Sequence, residues 1–161
     1  MATISNQQKI TPCLWFDNQA EEAANFYTSV FVDSKIESIS YYGKEGFEIH
    51  GQKEGTVLTV VFHINGQTFT ALNGGPEFRF NEAVSFQVFC ETQEEIDYYW
   101  SNLTDGGEEG QCGWLKDKFG VSWQIVPSIL PDLLCDPLKS GSVMKAFMQM
   151  KKFDIEKIRQ A

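Results

Sequence analysis

The chain reads as an α+β protein of two βαβββ-type modules, the second one trimmed, whose curved mixed sheets surround a cleft and are followed by C-terminal helices. Three observations carry that expectation. The stretch LWFDNQAEEAANFYTSV from Leu14 returns seventy-three positions later as QVFCETQEEIDYYWSNL from Gln87, so one strand-helix unit occurs twice. Asn65-Gly66 stands between two β-rich runs, a strong hairpin signal. Finally, 161 residues with 42% hydrophobic, 14% aromatic and 22% charged composition describe an ordinary globular chain with apolar surface for a sizeable core.

In order along the chain, Leu14 to Phe16 forms the first strand. A helix follows with Ala20, Ala23, Ala24, Tyr27, Val30 and Phe31 on one face, and Asn18 with Glu21 three residues on reads as its cap. Strands are expected over Lys35 to Tyr42, Thr56 to Asn65 and Gln67 to Asn73; the Gly-rich stretch Lys44 to Gly55 is a polar connection between them. In the second copy Ile96, Tyr99, Trp100 and Leu103 repeat the helical stripe. Thr92 with Glu95 makes a capping box, and Gly106-Gly107 ends the helix. Gln111 to Lys116 and Val121 to Val126 make two further strands, with too little chain before Gln111 for a full third one. Beyond Pro127 a short turn over Pro131 to Leu134 precedes an apolar helical stripe of Val143, Met144, Phe147 and Met150, continued by Ile155 and Ile158. The boundaries are module one 8–78, module two 81–127 and a helical tail 128–161, all within one domain spanning 1–161.

A formal net charge of −9 would repel a phosphate backbone, so nucleic acid is not an expected partner. The opening MATISNQQKI has no apolar core behind a basic flank, no apolar run approaches a membrane span, and a cytoplasmic location is expected. Cys13, Cys90, Cys112 and Cys135 form no C-x-x-C pair and read as reduced thiols, with Cys112 beside Gly113 the one candidate for reactivity.

The chemistry-bearing residues are sparse. Only His50 and His63 offer imidazoles, without a paired spacing, and no metal is assigned. No nucleophile-base pair is visible. The glycines of Asn73-Gly74-Gly75-Pro76 do not stand between a strand and a helix, so they make no phosphate or dinucleotide fingerprint. Strand alternation instead separates Cys13 and Trp15 from Leu14 and Phe16, and Ser122, Gln124 and Val126 from Trp123 and Ile125. Trp15, Gln87, Phe89 and Gln124 then line a concave face, an apolar wall with a few polar anchors suited to a small organic ligand.

With the doubled unit in view, the chain resembles the vicinal oxygen chelate superfamily of glyoxalase, bleomycin-resistance proteins and extradiol dioxygenases, which is built from paired βαβββ modules. More narrowly, TPCLWFDNQAEEAANFY, QCGWLKDKFGVSWQIVP and VMKAFMQMKKFDI resemble the signatures of the PhnB-like branch carrying the 3-demethylubiquinone-9 3-methyltransferase name. The metal ligands of metal-dependent members fall here on Thr11, Ala83, about Asn73, and Gln124. None is a His, Glu or Asp, so the resemblance implies a cleft without the ancestral metal.

The expected function is therefore small-molecule binding in a metal-free cleft by a cytoplasmic homodimer, with no cofactor and no membrane partner. The expected ligand-binding residues are Thr11, Cys13, Trp15, Asn73, Gln87, Phe89, Trp114 and Gln124. The expected ligand is partly aromatic or cationic; the acidic charge favours a cation, on which Trp15 and Trp114 would stack. The alternative is an enzyme, either the methyltransferase of the family name or a metal-dependent lyase or dioxygenase with atypical ligands. In it Gln124, Asn73 and a carboxylate such as Asp17 or Glu91 would share the work. A third possibility makes the Val143 to Met150 stripe a subunit contact.

Overall fold

The computed structural model describes residues 8–161, which divide into two compact units, one ending at Arg79 and the other beginning at Phe80. In the first unit the elements are β1 (Cys13–Phe16), α1 (Ala20–Val30), β2 (Lys35–Tyr41), α2 (Phe47–His50), β3 (Val57–Ile64) and β4 (Gln67–Asn73). They form a four-stranded sheet in the order β1-β4-β3-β2, parallel at β1/β4 and antiparallel elsewhere. Asn65 and Gly66, at φ 45° and 79°, close the β3/β4 hairpin in the left-handed conformation that a two-residue turn requires. The core fills the space between this sheet and α1: Leu14, Phe16, Val60, Phe62, Phe69 and Ala71 meet Ala20, Ala23, Ala24, Tyr27 and Val30. The three alanines let the helix approach closely, and the Tyr27 and Phe69 rings each stack with Phe62, with centroids at 6.0 and 5.5 Å.

The second unit repeats the pattern with β5 (Phe86–Cys90), α3 (Gln93–Thr104), β6 (Glu108–Glu109), β7 (Trp114–Lys116) and β8 (Ser122–Pro127) in the sheet order β5-β8-β7-β6. Its third strand is present, reduced to two residues in the short space before Gln111. Ile96, Trp100 and Leu103 of α3 occupy the places of Ala23, Tyr27 and Val30 and pack with Leu115, Trp123 and Ile125. The helices therefore superpose at the seventy-three-residue offset, but the strands do not. Leu14 and Phe16 are buried, whereas their counterparts at that offset, Gln87 and Phe89, are exposed. Three residues separate β1 from α1 and only two separate β5 from α3, so the buried faces correspond one residue later, at Val88 and Cys90. With a side-chain period of two, one residue inverts the face.

The capping box of α3 forms as its sequence predicts: Thr92 Oγ1 accepts from Glu95 N–H at 3.2 Å, and the Glu95 carboxylate accepts from Thr92 N–H. At α1 the expected cap is corrected. The N-cap is Gln19 with no side-chain bond, and the Ala20 N–H donates instead to Asn73 Oδ1 at 2.8 Å, from β4. The stretch after Tyr42 contains the short α2 between Gly46 and Gly51, both at positive φ.

The tail belongs to the second unit. It consists of α4 (Leu130–Cys135), where a turn was expected, α5 (Ser140–Phe147) and α6 (Ile155–Gln160). The expected stripe splits: Val143, Ile155 and Ile158 are buried, while Met144 faces outward. Gln93 ties the tail down by donating to the Phe153 carbonyl and accepting from Ile155 N–H, both at 3.0 Å. The amides of Cys112 and Gly113 donate to the carbonyls of Met150 and Lys151.

Candidate functional site

Each sheet has one face covered by its helix and one left open by it. In the second unit the open face is written by strand alternation and register. Gln124 pairs with Gln87 on one side and Trp114 on the other, and Ser122 pairs with Lys116, so these side chains form two adjacent rows across β5, β8 and β7. Gln124 Nε2 donates to Ser85 Oγ at 2.8 Å, and Gln87 Nε2 approaches Gln124 Oε1 at 3.5 Å, the outer limit of a hydrogen bond. Phe89, next along β5, is 53% exposed, and Trp114 is half-buried. The result is a short line of oriented amides flanked by two aromatic rings. The sequence expectation gathered Gln87, Phe89, Trp114 and Gln124, and the structure places all four on this face. It missed Ser85, which carries no signal beyond its position at the mouth of β5.

In the first unit Cys13 and Trp15 lie on the open face, with Thr11 just before β1. Their register partners on β4 are Thr70 and Leu72. Trp15 is fastened: its Nε1–H donates to the Gly75 carbonyl at 2.8 Å and its ring packs edge-on to Phe78 at 4.9 Å. Asn73 is found elsewhere. It pairs with Phe16 rather than Trp15, is only 7% exposed, and uses both ends of its amide on backbone, accepting from Ala20 N–H and donating to the Val57 carbonyl at 3.0 Å. Desolvation by the surrounding strand raises the pKa of the exposed Cys13 thiol, and burial pushes that of Cys90 up to about 12, which leaves Cys90 protonated and poorly nucleophilic at neutral pH.

The donor chemistry does not suit a resident metal. The β1/β4 pair Cys13 and Thr70 and the β5/β8 pair Gln87 and Gln124 offer a single thiol, a hydroxyl and two neutral amides, with no carboxylate or imidazole among them. Among the described residues no group of three or more His, Cys, Asp and Glu is arranged to hold a metal ion. The imidazoles are engaged locally: His50 Nδ1 accepts from Gln52 N–H, and His63 bridges Glu37 and Thr68 at 2.8 and 3.1 Å. Asp17 and Glu91 sit exposed at the two strand-helix junctions.

Two βαβββ units, each with a parallel outer strand pair and an open sheet face, define a protein of the vicinal oxygen chelate class, the fold of glyoxalase and bleomycin-resistance proteins. The 3-demethylubiquinone-9 3-methyltransferase family profile matches residues 8–126, and the chain belongs to that family. A PhnB protein from Bacillus cereus carrying the same family description is 43% identical, covering 74% of this chain and 99% of its own, with a TM-score of 0.66. Protein PA1353 from Pseudomonas aeruginosa shares the fold at 16% identity and a TM-score of 0.59, covering 75% of this chain and 98% of its own. The fosfomycin resistance protein FosX from Listeria monocytogenes is 18% identical over 81% of this chain and 97% of its own, with a TM-score of 0.49. No curated protein matches the chain. Among the described residues no helix is long and apolar enough to cross a membrane.

Proposed function

We propose that the chain binds a small organic molecule on its open sheet faces, through oriented amides and flanking aromatic rings rather than through a resident metal. The observation that carries this reading is the Gln87, Gln124 and Ser85 side-chain line beside Trp114 and the exposed Phe89. An exposed phenyl ring on a sheet gains by being covered, and fixed amides next to it supply direction and selectivity. Trp15, already held by Gly75 and Phe78, offers a second preformed aromatic surface. In this reading the protein works in the cytoplasm as a homodimer.

The family description favours a second reading, methyl transfer. That reaction needs a bound sulfonium donor aligned with its nucleophile. The two strand-to-helix turns, Asp17-Asn18-Gln19 and Glu91-Thr92, present carboxylates and amides where a doubly wound donor domain uses glycines. Binding without methyl transfer is therefore the leading reading.

Native mass spectrometry of protein purified without added metal, paired with elemental analysis, tests it by reporting subunit count, metal and retained ligand together. The expected result is a metal-free dimer, and the affinity of any ligand found by screening falls on Gln124→Ala or Trp15→Ala. Stoichiometric zinc, iron, nickel or manganese would overturn the metal-free reading. Retained S-adenosylmethionine would move methyl transfer to first place.

A further inference from the structure

The open face of the second unit continues beyond the amide line toward its short edge strand. Register carries Glu108 of β6, Lys116 of β7 and Ser122 of β8 into one row, two residues along from Trp114 and Gln124. Over this row lies a cavity of about 130 Å³ lined by Glu82, Glu108, Trp114, Lys116 and Ser122, with Glu109, Gly110 and Leu115 completing its wall. A cavity of that size accepts a group about as large as benzene.

Two features of the lining are unusual for an ordinary surface dent. Ser122 is only 1% exposed, and its hydroxyl is the one buried side-chain polar atom among the described residues that has no hydrogen-bond partner. A buried hydroxyl without a partner carries a desolvation cost that a bound donor would remove. The charge is also unbalanced. Glu82 is ion-paired with Lys116, which holds its carboxyl below the usual range and the Lys116 ammonium above its own. Glu108 faces the same lysine, so two carboxylates stand against one ammonium. Glu109 adds nothing to the count, because its side chain is turned to Trp100 Nε1 at 3.0 Å and to Lys151 at 3.5 Å.

We infer that this cavity is a subsite for a small organic cation bearing N–H donors, an alkylammonium or alkylguanidinium group. The cation sits against the Glu108 and Glu82 carboxylates, donates to the Ser122 hydroxyl, and lays its alkyl stem or charged face on the Trp114 indole. The rest of the ligand then extends along the row to Gln124 and Gln87. The inference rests on the small-molecule reading above and specifies the chemical class and the end of the site at which it is recognised.

The test is a titration of the full chain, labelled with nitrogen-15, with n-butylammonium and n-butylguanidinium, with tetramethylammonium as a cation lacking donors and phenol as a neutral aromatic probe. The expected result is saturable shifts of the Trp114 indole N–H and the Ser122 and Lys116 amides with the two donor cations. Tetramethylammonium binds several-fold more weakly. Glu108 is exposed, so Glu108→Gln leaves the fold intact and weakens the donor cations about tenfold, as expected for loss of a charge-assisted bond. Ser122→Ala weakens n-butylammonium several-fold without changing phenol binding. Cation shifts that do not saturate, or that survive Glu108→Gln unchanged, would overturn the subsite. If phenol alone shifts Trp114 and is lost in Gln124→Ala, the cation subsite falls while the broader binding reading stands. If neither class of probe perturbs the face, both fall.

Discussion

Gly74 lies flat against the Trp15 indole. A Cβ built on it would overlap the six-membered ring of that tryptophan, whose Nε1–H donates to the carbonyl of the next residue, Gly75. The glycine pair after β4 thus shapes the first unit's aromatic face, and it needs neither a phosphate nor a nucleotide to explain it. Gly74→Ala is expected to push Trp15 from its position against Phe78 and to destabilise by about 1–3 kcal/mol, the usual cost of overpacking. Urea unfolding gives the energy, and the Trp15 indole resonance reports the displacement. An unmoved resonance would show that the ring is not held as described.

Asn73 is a structural residue by the same logic. Its amide satisfies the first free N–H of α1 and donates to a carbonyl at the start of β3. Asn73→Ala is expected to cost about 1–3 kcal/mol through the two abandoned groups. Asn73→Asp keeps the acceptor and places negative charge at a helix N-terminus but turns a carboxylate oxygen toward the Val57 carbonyl; the retained cap is expected to keep its loss below that of Asn73→Ala. Chemical denaturation of both variants checks the order. Equal losses would mean that the bond to Ala20 N–H is not the important one.

Acid should weaken the second unit through specific carboxylates. Lys152 at 2.5 Å, with Gln93, holds the Asp97 carboxyl below its usual range; Trp100 Nε1–H and Lys151 do the same for Glu109, and the Lys157 amide for Asp154. A folded-state pKa below the unfolded one means stability that is complete above the unfolded value, about 4, and is lost as pH falls through the lowered one. Unfolding free energy is therefore expected to decline below about pH 4. Asp97→Asn should make that decline shallower while lowering stability at neutral pH. A decline of unchanged steepness would remove Asp97 from the account.

What the sequence made legible follows its periodicities. Thr92 and Glu95 announce a cap because both partners lie within one turn, and Asn65-Gly66 announces a hairpin because two positive φ angles are a local demand. The Gln87, Phe89 and Gln124 face was readable from strand alternation alone. Asn73 was not, because its role depends on a helix that begins fifty-three residues earlier in the chain. Asp117 is legible in part: buried in the β7/β8 turn, it accepts from the amides of Phe119 and Val121 as an Asx-type turn does, whereas the bond it accepts from Trp123 Nε1 at 2.8 Å needs β7 and β8 to be paired. The row of Glu108, Lys116 and Ser122 exists only once three strands are aligned.

The junction between β5 and α3, one residue shorter than that between β1 and α1, bears on how the halves of this chain can be exchanged. A helix moved from one half to the other fits at the plain repeat distance, whereas a strand moved at that distance arrives inside out, presenting Gln87 and Phe89 to the hydrophobic interior. A chimera must therefore carry its own strand-to-helix joint with the strand.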